Sequence, residues 1–147
     1  MADSKRQQLV NAVKTRLTLI RTANGYETEA GLYVFEWTDY AVPETQRPCL
    51  IVRDGLSSAS LTHGKDWHVL EITIDALAHG SGAPTLVRKV VADVIQAWAT
   101  DKTFGALADN SWYRGDVLEA EQESRRLLGA QLRFDVEYKT DHMDPYN

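Results

Sequence analysis

Residues 132–139 alternate without interruption between apolar and charged side chains. The apolar positions are Leu132, Phe134, Val136 and Tyr138, and the charged positions are Arg133, Asp135, Glu137 and Lys139. Because successive side chains of a β-strand point to opposite faces, this period of two predicts a strand with one face in the core. The charged face is left for water, a partner subunit or a polar channel.

A similar alternation in the middle of the chain predicts a second one-sided strand. Its core positions are Leu70, Ile72, Ile74 and Ala76, whereas Glu71, Thr73 and Asp75 point away from the core. Apolar stretches at residues 32–37 and 49–52 predict two shorter strands around a loop at 43–48. An imperfect alternation at 117–123 predicts another strand, followed by a turn or bulge at Arg125-Arg126.

Two segments have the period of an amphipathic helix. The first runs from Ser4 to about Arg21; Ser4 and Gln7 are suited to a reciprocal cap at its start, and Asn24-Gly25 is suited to end it. The second follows the helix-breaking residues 80–84 and covers residues 86–98. Its apolar stripe is predicted to pack on the sheet, with Arg88, Lys89, Asp93 and Gln96 on the solvent side.

Turn-forming residues mark the connections between these elements. Residues 54–58 are predicted to begin as a turn, and His63-Gly64-Lys65 predicts a second turn before the long strand. Residues 101–116 are interpreted as a structured connection that leads into the next strand. The mostly polar residues 141–147 predict a flexible tail.

Composition and charge narrow the class of protein. The 147 residues, 44% hydrophobic and 25% charged, fit one globular domain that spans residues 1–147. The formal net charge of −5 argues against tight binding to a nucleic-acid backbone. No apolar run has the length of a membrane span and the N-terminal stretch does not resemble a signal peptide, so we expect an intracellular protein without a membrane partner.

Candidate catalytic and metal-binding groups are few. Cys49 could be a nucleophile with one of the four histidines as its base, but its apolar neighbours favour a buried structural cysteine. His63, Asp66 and His68 could approach a metal, although a solvated hairpin end explains them better. Asp135 and Glu137 could be an acid and base pair, but the alternating basic residues favour a charge-balanced sheet surface. We therefore predict no enzyme, catalytic residue, cofactor or metal.

Four aromatic residues are candidates for exposure. Trp37, Tyr40, Trp112 and Tyr113 lie in or beside predicted connections. Aromatic side chains are enriched at protein interfaces. Packing in a satellite core is the alternative, and the sequence favours neither.

Several short motifs occur in a fixed order along the chain. The first predicted helix ends in Thr22-Ala23-Asn24-Gly25-Tyr26, a strand contains Pro48-Cys49-Leu50-Ile51-Val52, and Asp101-Lys102-Thr103-Phe104-Gly105 follows the second helix. The closing strand ends in Val136-Glu137-Tyr138. In element order and in these motifs, nearly the whole chain resembles the tail terminator family of long-tailed bacteriophages, also called minor tail protein U or tail completion protein.

The resemblance implies both a fold and a structural role. The implied fold is an α/β protein of the α+β type, a single domain with a mixed, largely antiparallel sheet flanked by two helices. The implied partners are five further copies in a homo-hexameric ring, the major tail tube protein and a head-completion or connector protein. The ring would cap the tube and stop its polymerisation while DNA passes through without specific binding. Its location would be the virion tail, and the host cytoplasm during assembly.

The predicted strand faces suggest where such a ring would make contacts, although no family motif fixes these positions. For the subunit interface or the lumen we predict Arg133, Asp135, Glu137, Lys139, Glu71 and Asp75. For contacts with the tube or head we predict the loops around residues 54–66 and 103–114. The individual candidates are Trp37, Asp54, Lys65, Trp112, Tyr113 and Arg114. The alternatives are another neck or head–tail connector component and, further removed, a small-ligand-binding domain or enzyme.

Overall fold

The computed structural model describes residues 2–38, 42–121 and 127–147, so that Tyr40 and the turn expected at Arg125-Arg126 lie outside the described residues. The two α-helices are α1 (Lys5–Thr18) and α2 (Ala83–Ala99). The strands are β1 (Val34–Glu36), β2 (Cys49–Thr62), β3 (Lys65–His79), β4 (Asn110–Glu121) and β5 (Leu127–Asp141). Short 3-10 helices cover Thr22–Asn24, Ala30–Leu32 and Glu44–Gln46. No helix in the described ranges is long and apolar enough to cross a membrane.

The strands form one mixed sheet in the order β1-β2-β3-β5-β4. β1 pairs in parallel with β2 at Leu50, Ile51 and Val52, and all the other pairs are antiparallel. The central pair β3 and β5 is in continuous register from Lys65 opposite Asp141 to His79 opposite Leu127. The expected α+β fold, with a mixed, largely antiparallel sheet and two helices in a single compact domain, is confirmed.

Both α-helices pack on the same face of the sheet, which we call the inner face. The predicted alternation of β5 is confirmed, because Leu132, Phe134, Val136 and Tyr138 are all buried there. The ring of Trp98 in α2 stacks on Phe134, with 3.9 Å between the ring centroids. The predicted core positions of β3 are likewise buried. The opposite face, here the outer face, carries the alternate residues of the same strands.

A small second cluster of apolar residues covers one end of the outer face. Val42, Cys49 and Ile51 are buried in it, and Tyr33, Phe35 and Leu77 pack around them. Residue 42 brings the connection between β1 and β2 onto this face. The predicted burial of Cys49 is confirmed, and burial raises the pKa of its thiol to about 11.

The first helix begins as predicted but ends earlier. Ser4 Oγ accepts a hydrogen bond from the backbone N–H of Gln7 at 3.2 Å, whereas the Gln7 side chain bonds to Asn11 instead of closing the reciprocal cap. The prediction that Asn24-Gly25 ends this helix is wrong, since α1 stops at Thr18. Gly25, with φ of 89°, instead ends the 3-10 helix Thr22–Asn24.

The prediction of a turn at residues 54–58 is also wrong. β2 continues through this segment to Thr62, and its pairing with β3 is irregular only between Asp54 and Ser57. The turn-like residues form a β-bulge, which shifts the register without ending the strand. The predicted turn at His63 and Gly64 is confirmed, and both residues have the positive φ angles of a tight hairpin loop.

Asp93 lies in the core, contrary to its predicted place on the solvent side of α2. Its side chain accepts hydrogen bonds from the backbone N–H of Glu27 at 3.1 Å and of Thr28 at 2.9 Å, and from the Thr28 hydroxyl at 2.8 Å. Only 1% of Asp93 is exposed. The carboxylate therefore satisfies backbone donors of the segment that follows α1, which explains a charged residue at this depth.

Residues 141–147, the predicted flexible tail, lie beside the hairpin of β2 and β3 and the start of α1. Met143 donates its backbone N–H to Asp66 Oδ2 at 2.8 Å, and Pro145 O accepts the backbone N–H of Lys5 at 2.9 Å. The second bond satisfies a donor in the first turn of α1 that has no partner within the helix.

Glu29 accepts hydrogen bonds within the connection after α1, and its ionisation makes the free energy of unfolding depend on pH. Hydrogen bonds from Thr22 and Arg21 lower the pKa of Glu29 from 4.5 to about 2. Because this pKa is lower in the folded state, the stabilisation is complete above pH 4.5 and is lost as the pH falls toward 2. We expect the difference in free energy of unfolding between the wild type and Glu29→Gln, measured by denaturant titration, to be constant from pH 7 to 5 and to shrink below that. A difference that does not change with pH would contradict this role for the ionised carboxylate.

Candidate interaction surface

The charged side chains of the outer face are arranged as ion pairs across neighbouring strands. Arg133 Nη2 lies 3.1 Å from Glu71 Oε2, and Arg114 Nε lies 3.4 Å from Asp135 Oδ2. Asp75 pairs with Arg53 and also accepts a hydrogen bond from Gln131 at 3.2 Å. Arg133 and Glu71, like Arg53 and Asp75, are thus diagonal neighbours on adjacent strands and not direct register partners. Exposed pairs of this kind add little to stability, typically ~0–1 kcal/mol, and they leave the face charged but balanced.

Lys139 makes a different pair of contacts on the same face. Its Nζ lies 4.0 Å above the ring of Trp67 and 3.5 Å from Asp109 Oδ1. At the end of the outer face nearer the hairpin of β2 and β3, Lys139 therefore makes a cation–π contact as well as an ion pair.

Glu137 forms no ion pair among the described residues and lines a shallow recess on the outer face. The recess has a volume of about 370 Å³ and is also lined by Ser58, Ala59, Ser60, Thr62, Trp67 and Val69. Within the described part of the chain, the buried Nε1 of Trp67 has no hydrogen-bond partner. The lining of the recess therefore combines hydroxyl groups, an indole, one carboxylate and two small apolar side chains.

All six residues predicted for a subunit interface or lumen lie on the outer face of β3 and β5. These residues are Arg133, Asp135, Glu137, Lys139, Glu71 and Asp75. The register pairs Glu71 directly with Asp135, and the adjacent basic residues Arg133 and Arg114 compensate this like-charge pair. Their role in subunit contact stays a prediction.

The residues predicted for tube or head contacts lie in three separate places. Trp112, Tyr113 and Arg114 follow one another on β4, Lys65 begins β3 at the hairpin and pairs with Asp141, and Trp37 follows β1. Trp37, Trp112 and Tyr113 are exposed, whereas the sequence alone favours neither exposure nor packing in a satellite core. Tyr113 nevertheless points to the inner face beside Phe134, where burial and a hydrogen bond to Asp116 raise the pKa of its hydroxyl to about 12.

Asp54 has a structural role that its sequence position does not indicate. Its Oδ2 accepts a hydrogen bond from Arg6 Nε at 2.7 Å, and its Oδ1 accepts one from Trp37 Nε1 at 2.8 Å. One carboxylate therefore links α1, β2 and the end of β1. This engagement explains the position of the exposed Trp37 ring, whose indole N–H is held by Asp54.

The groups considered for metal binding or catalysis do not converge. His68 stacks on Tyr138 and lies 2.8 Å from the Thr140 hydroxyl, whereas Asp66 lies 2.8 Å from His142 Nδ1. Hydrogen bonds from His142 and from the backbone of Met143 lower the pKa of Asp66. Among the described residues there is no group of three or more His, Cys, Asp or Glu side chains that could hold a metal ion.

The motif at residues 101–105 stabilises the loop after α2. Asp101 accepts the backbone N–H of Gly105 at 2.8 Å and the hydroxyl and backbone N–H of Thr103 at 2.8 and 3.0 Å, and these bonds lower the pKa of its carboxyl. The loop turns Phe104 inward, where its ring meets Trp98 edge to face. Arg16 of α1 lies 4.8 Å from the centre of the Phe104 ring and ties the loop to the first helix.

Compared with known proteins, the chain matches no family model and no curated protein. Its resemblance to tail terminators therefore depends on the motifs and element order in its own sequence.

Proposed function

We propose that the protein is a structural virion protein of the tail terminator type. In this role it is a ring subunit that caps the phage tail tube, ends tube polymerisation and provides the surface for joining the head. The sequence motifs and element order support the proposal, and one structural observation supports it further. That observation is the difference between the two faces of the sheet.

The inner face is covered by both α-helices, whereas the central part of the outer face carries ion pairs and side chains accessible to solvent. A one-sided sheet of this kind can place its open face against a neighbouring subunit or along a channel. Each subunit in a cyclic assembly contacts its neighbours through two different surfaces, and an open sheet face can provide one of them or line the central hole. The proposed partners are five further copies, the tail tube protein and a head-completion protein.

The charge of the protein agrees with a passage for DNA rather than a DNA-binding site. The formal net charge is −5, and each of Arg133 and Arg114 is already paired with a carboxylate on the outer face. Tight backbone binding needs clustered, available cations that displace counterions from phosphates. DNA would therefore move past this surface without being held.

Polymerisation of the cognate tail tube protein with and without this protein tests the proposal. We expect added protein to shorten the tubes and to stop the growth of preformed tubes, and a tagged copy to be seen by electron microscopy at tube ends only. Unchanged tube length would overturn the proposal. Binding to the portal side of the head in place of the tube would instead identify a connector.

Charge reversal at the hairpin gives a matched pair of variants for the same assay. Lys65 and Lys89 are both exposed, but Lys65 is at the hairpin and Lys89 is on α2. We expect Lys65→Glu to weaken tube-end binding severalfold and Lys89→Glu to leave it unchanged, because Lys65 is among the residues predicted to contact the tube or head and Lys89 is not. Equal effects of the two substitutions would contradict the predicted role of Lys65.

A further inference from the structure

The edge of β2 is only partly covered by another strand. β1 pairs with Leu50, Ile51 and Val52, and within the described residues no strand pairs with this edge from Arg53 onward. All residues from 55 to 62 are exposed. Gly55 O accepts a hydrogen bond from Arg6 Nη2 at 3.3 Å, whereas the outward backbone N–H and C=O groups of residues 57–62 are available to an additional strand.

The composition of this edge is unusual for one that faces water. Residues 55–62 read Gly-Leu-Ser-Ser-Ala-Ser-Leu-Thr and contain no charge and no proline. Leu56 and Leu61 are 69% and 59% exposed. Soluble proteins usually protect a free edge with charged residues, proline or bulges. Here the bulge lies before Ser57, so that Ser57–Thr62 remains a regular and unprotected edge.

A second free edge lies on the opposite side of the same sheet. β4 is the last strand in the order and pairs with β5 on one side, and no described strand pairs with its other side. The antiparallel pairs β2–β3, β3–β5 and β5–β4 make β4 run antiparallel to β2. A neighbouring subunit in the same orientation would therefore bring its β4 antiparallel to this β2.

We propose that the residues 57–62 of β2 pair with β4 of the adjacent subunit, so that the sheet continues from one subunit to the next around the ring. This inference rests on the proposed function, since it specifies the contact that builds the ring. Each subunit would contribute one β2 edge and one β4 edge, which is the head-to-tail contact that cyclic symmetry needs. Pairing of β2 with β2 of another copy would instead make a dimer and leave β4 open.

The outer face has a recess beside the β2 edge and exposed apolar side chains beside the β4 edge. On the outer face, the recess lined by Ser58, Ser60, Thr62 and Trp67 lies next to the β2 edge. On the outer face of β4, Trp112 and Val117 are 41% and 54% exposed. When a strand is added to a sheet edge, main-chain hydrogen bonds provide affinity and side-chain recesses provide specificity. An apolar side chain of the added β4 would fill the recess.

Cross-linking between introduced cysteines tests this pairing. Ser60 and Asn110 both lie on the outer face, the register through Val69 and Glu137 places Asn110 level with Ser58, and Cys49 is buried. We expect the Ser60→Cys, Asn110→Cys double variant, treated with a short thiol cross-linker, to give a ladder of species up to a closed ring. The reaction is run on concentrated protein and on protein bound to tail tubes, and the products are resolved under denaturing conditions.

Three controls define the geometry. A mixture of the two single variants should stop at dimers, because each molecule then has only one linkable edge. Ser60→Cys alone should remain monomeric, as should a Ser60→Cys, Arg88→Cys variant whose second thiol is on α2.

A second approach uses Ser58→Lys, which puts a charge at the edge of β2. This substitution should abolish the ring in native mass spectrometry and leave the midpoint of unfolding unchanged.

The outcomes separate this inference from the proposed function. Rings that cap tubes but give no ladder would overturn the edge pairing and leave the terminator role intact. Dimers from Ser60→Cys alone would also overturn it, in favour of pairing between two β2 strands. Absence of rings both in solution and on tubes would overturn the pairing, while tube length, measured separately, decides the terminator role.

Discussion

Replacing Asp93 with alanine is expected to lower the free energy of unfolding by about 2–4 kcal/mol. The substitution removes the acceptor for three donors, the backbone N–H groups of Glu27 and Thr28 and the Thr28 hydroxyl. The Thr28 donors are buried, so that removal of the carboxylate leaves them without a partner. Alanine is the better helix former by about 0.5 kcal/mol, which offsets only a small part of the loss. Denaturant titration followed by circular dichroism measures the change.

Two further variants separate the hydrogen bonds from the position in the helix. Gln96, three residues further along α2, is exposed, and Gln96→Ala should change stability by no more than about 0.5 kcal/mol. Asp93→Asn keeps the size of the side chain but turns an amide N–H₂ group toward a backbone donor. We expect it to be intermediate between the wild type and Asp93→Ala. Equal stability of Asp93→Ala and Gln96→Ala would refute the anchoring role of Asp93.

Replacing Gly31 with alanine is expected to cost about 1–3 kcal/mol or more, because the added methyl group has no room. A Cβ at this position would lie 2.7 Å from the carbonyl oxygens of Leu17, Thr18 and Ile20. These are backbone atoms at the end of α1, so relief requires the chain to shift. The shift would also disturb the hydrogen bond from Gly31 N to Ile20 O, which is 2.8 Å long.

Gly55 is the matched control for this substitution. It lies in the β2 bulge, and a Cβ there would meet no heavy atom within 4 Å. We expect Gly55→Ala to change the free energy of unfolding by less than about 0.5 kcal/mol. If thermal unfolding showed the two variants to be equally stable, the close approach of residue 31 to α1 would be disproved.

Sequence periodicity predicted the parts of the fold that bury one face continuously. β3, β5 and α2 each place an apolar row against the core, and that row is visible in the order of residues. β2 beyond Val52 was missed because its residues are exposed and show no alternation, and because Gly55 resembles a turn residue. Asp93 was misplaced because its partners lie 65 and 66 positions away in sequence.

The candidate surface was predictable in its composition but not in its internal contacts. Alternation alone placed Arg133 and Glu71 on one face, and the structure agrees. Which cation meets which carboxylate depends on the register between strands that are far apart in sequence. Asp54 is the clearest example of a contact that the sequence pattern does not predict. Its hydrogen bonds to Arg6 and Trp37 join three segments that are far apart in the chain.

The buried thiol of Cys49 can be used to measure local opening of the protein without any substitution. The chain has a single cysteine, and its thiol is shielded by the apolar cluster at one end of the outer face. With a pKa of about 11, the thiol is almost wholly protonated at neutral pH and therefore slow to react. The rate at which a thiol reagent modifies the unaltered protein would thus report how often the connection between β1 and β2 lifts from the sheet.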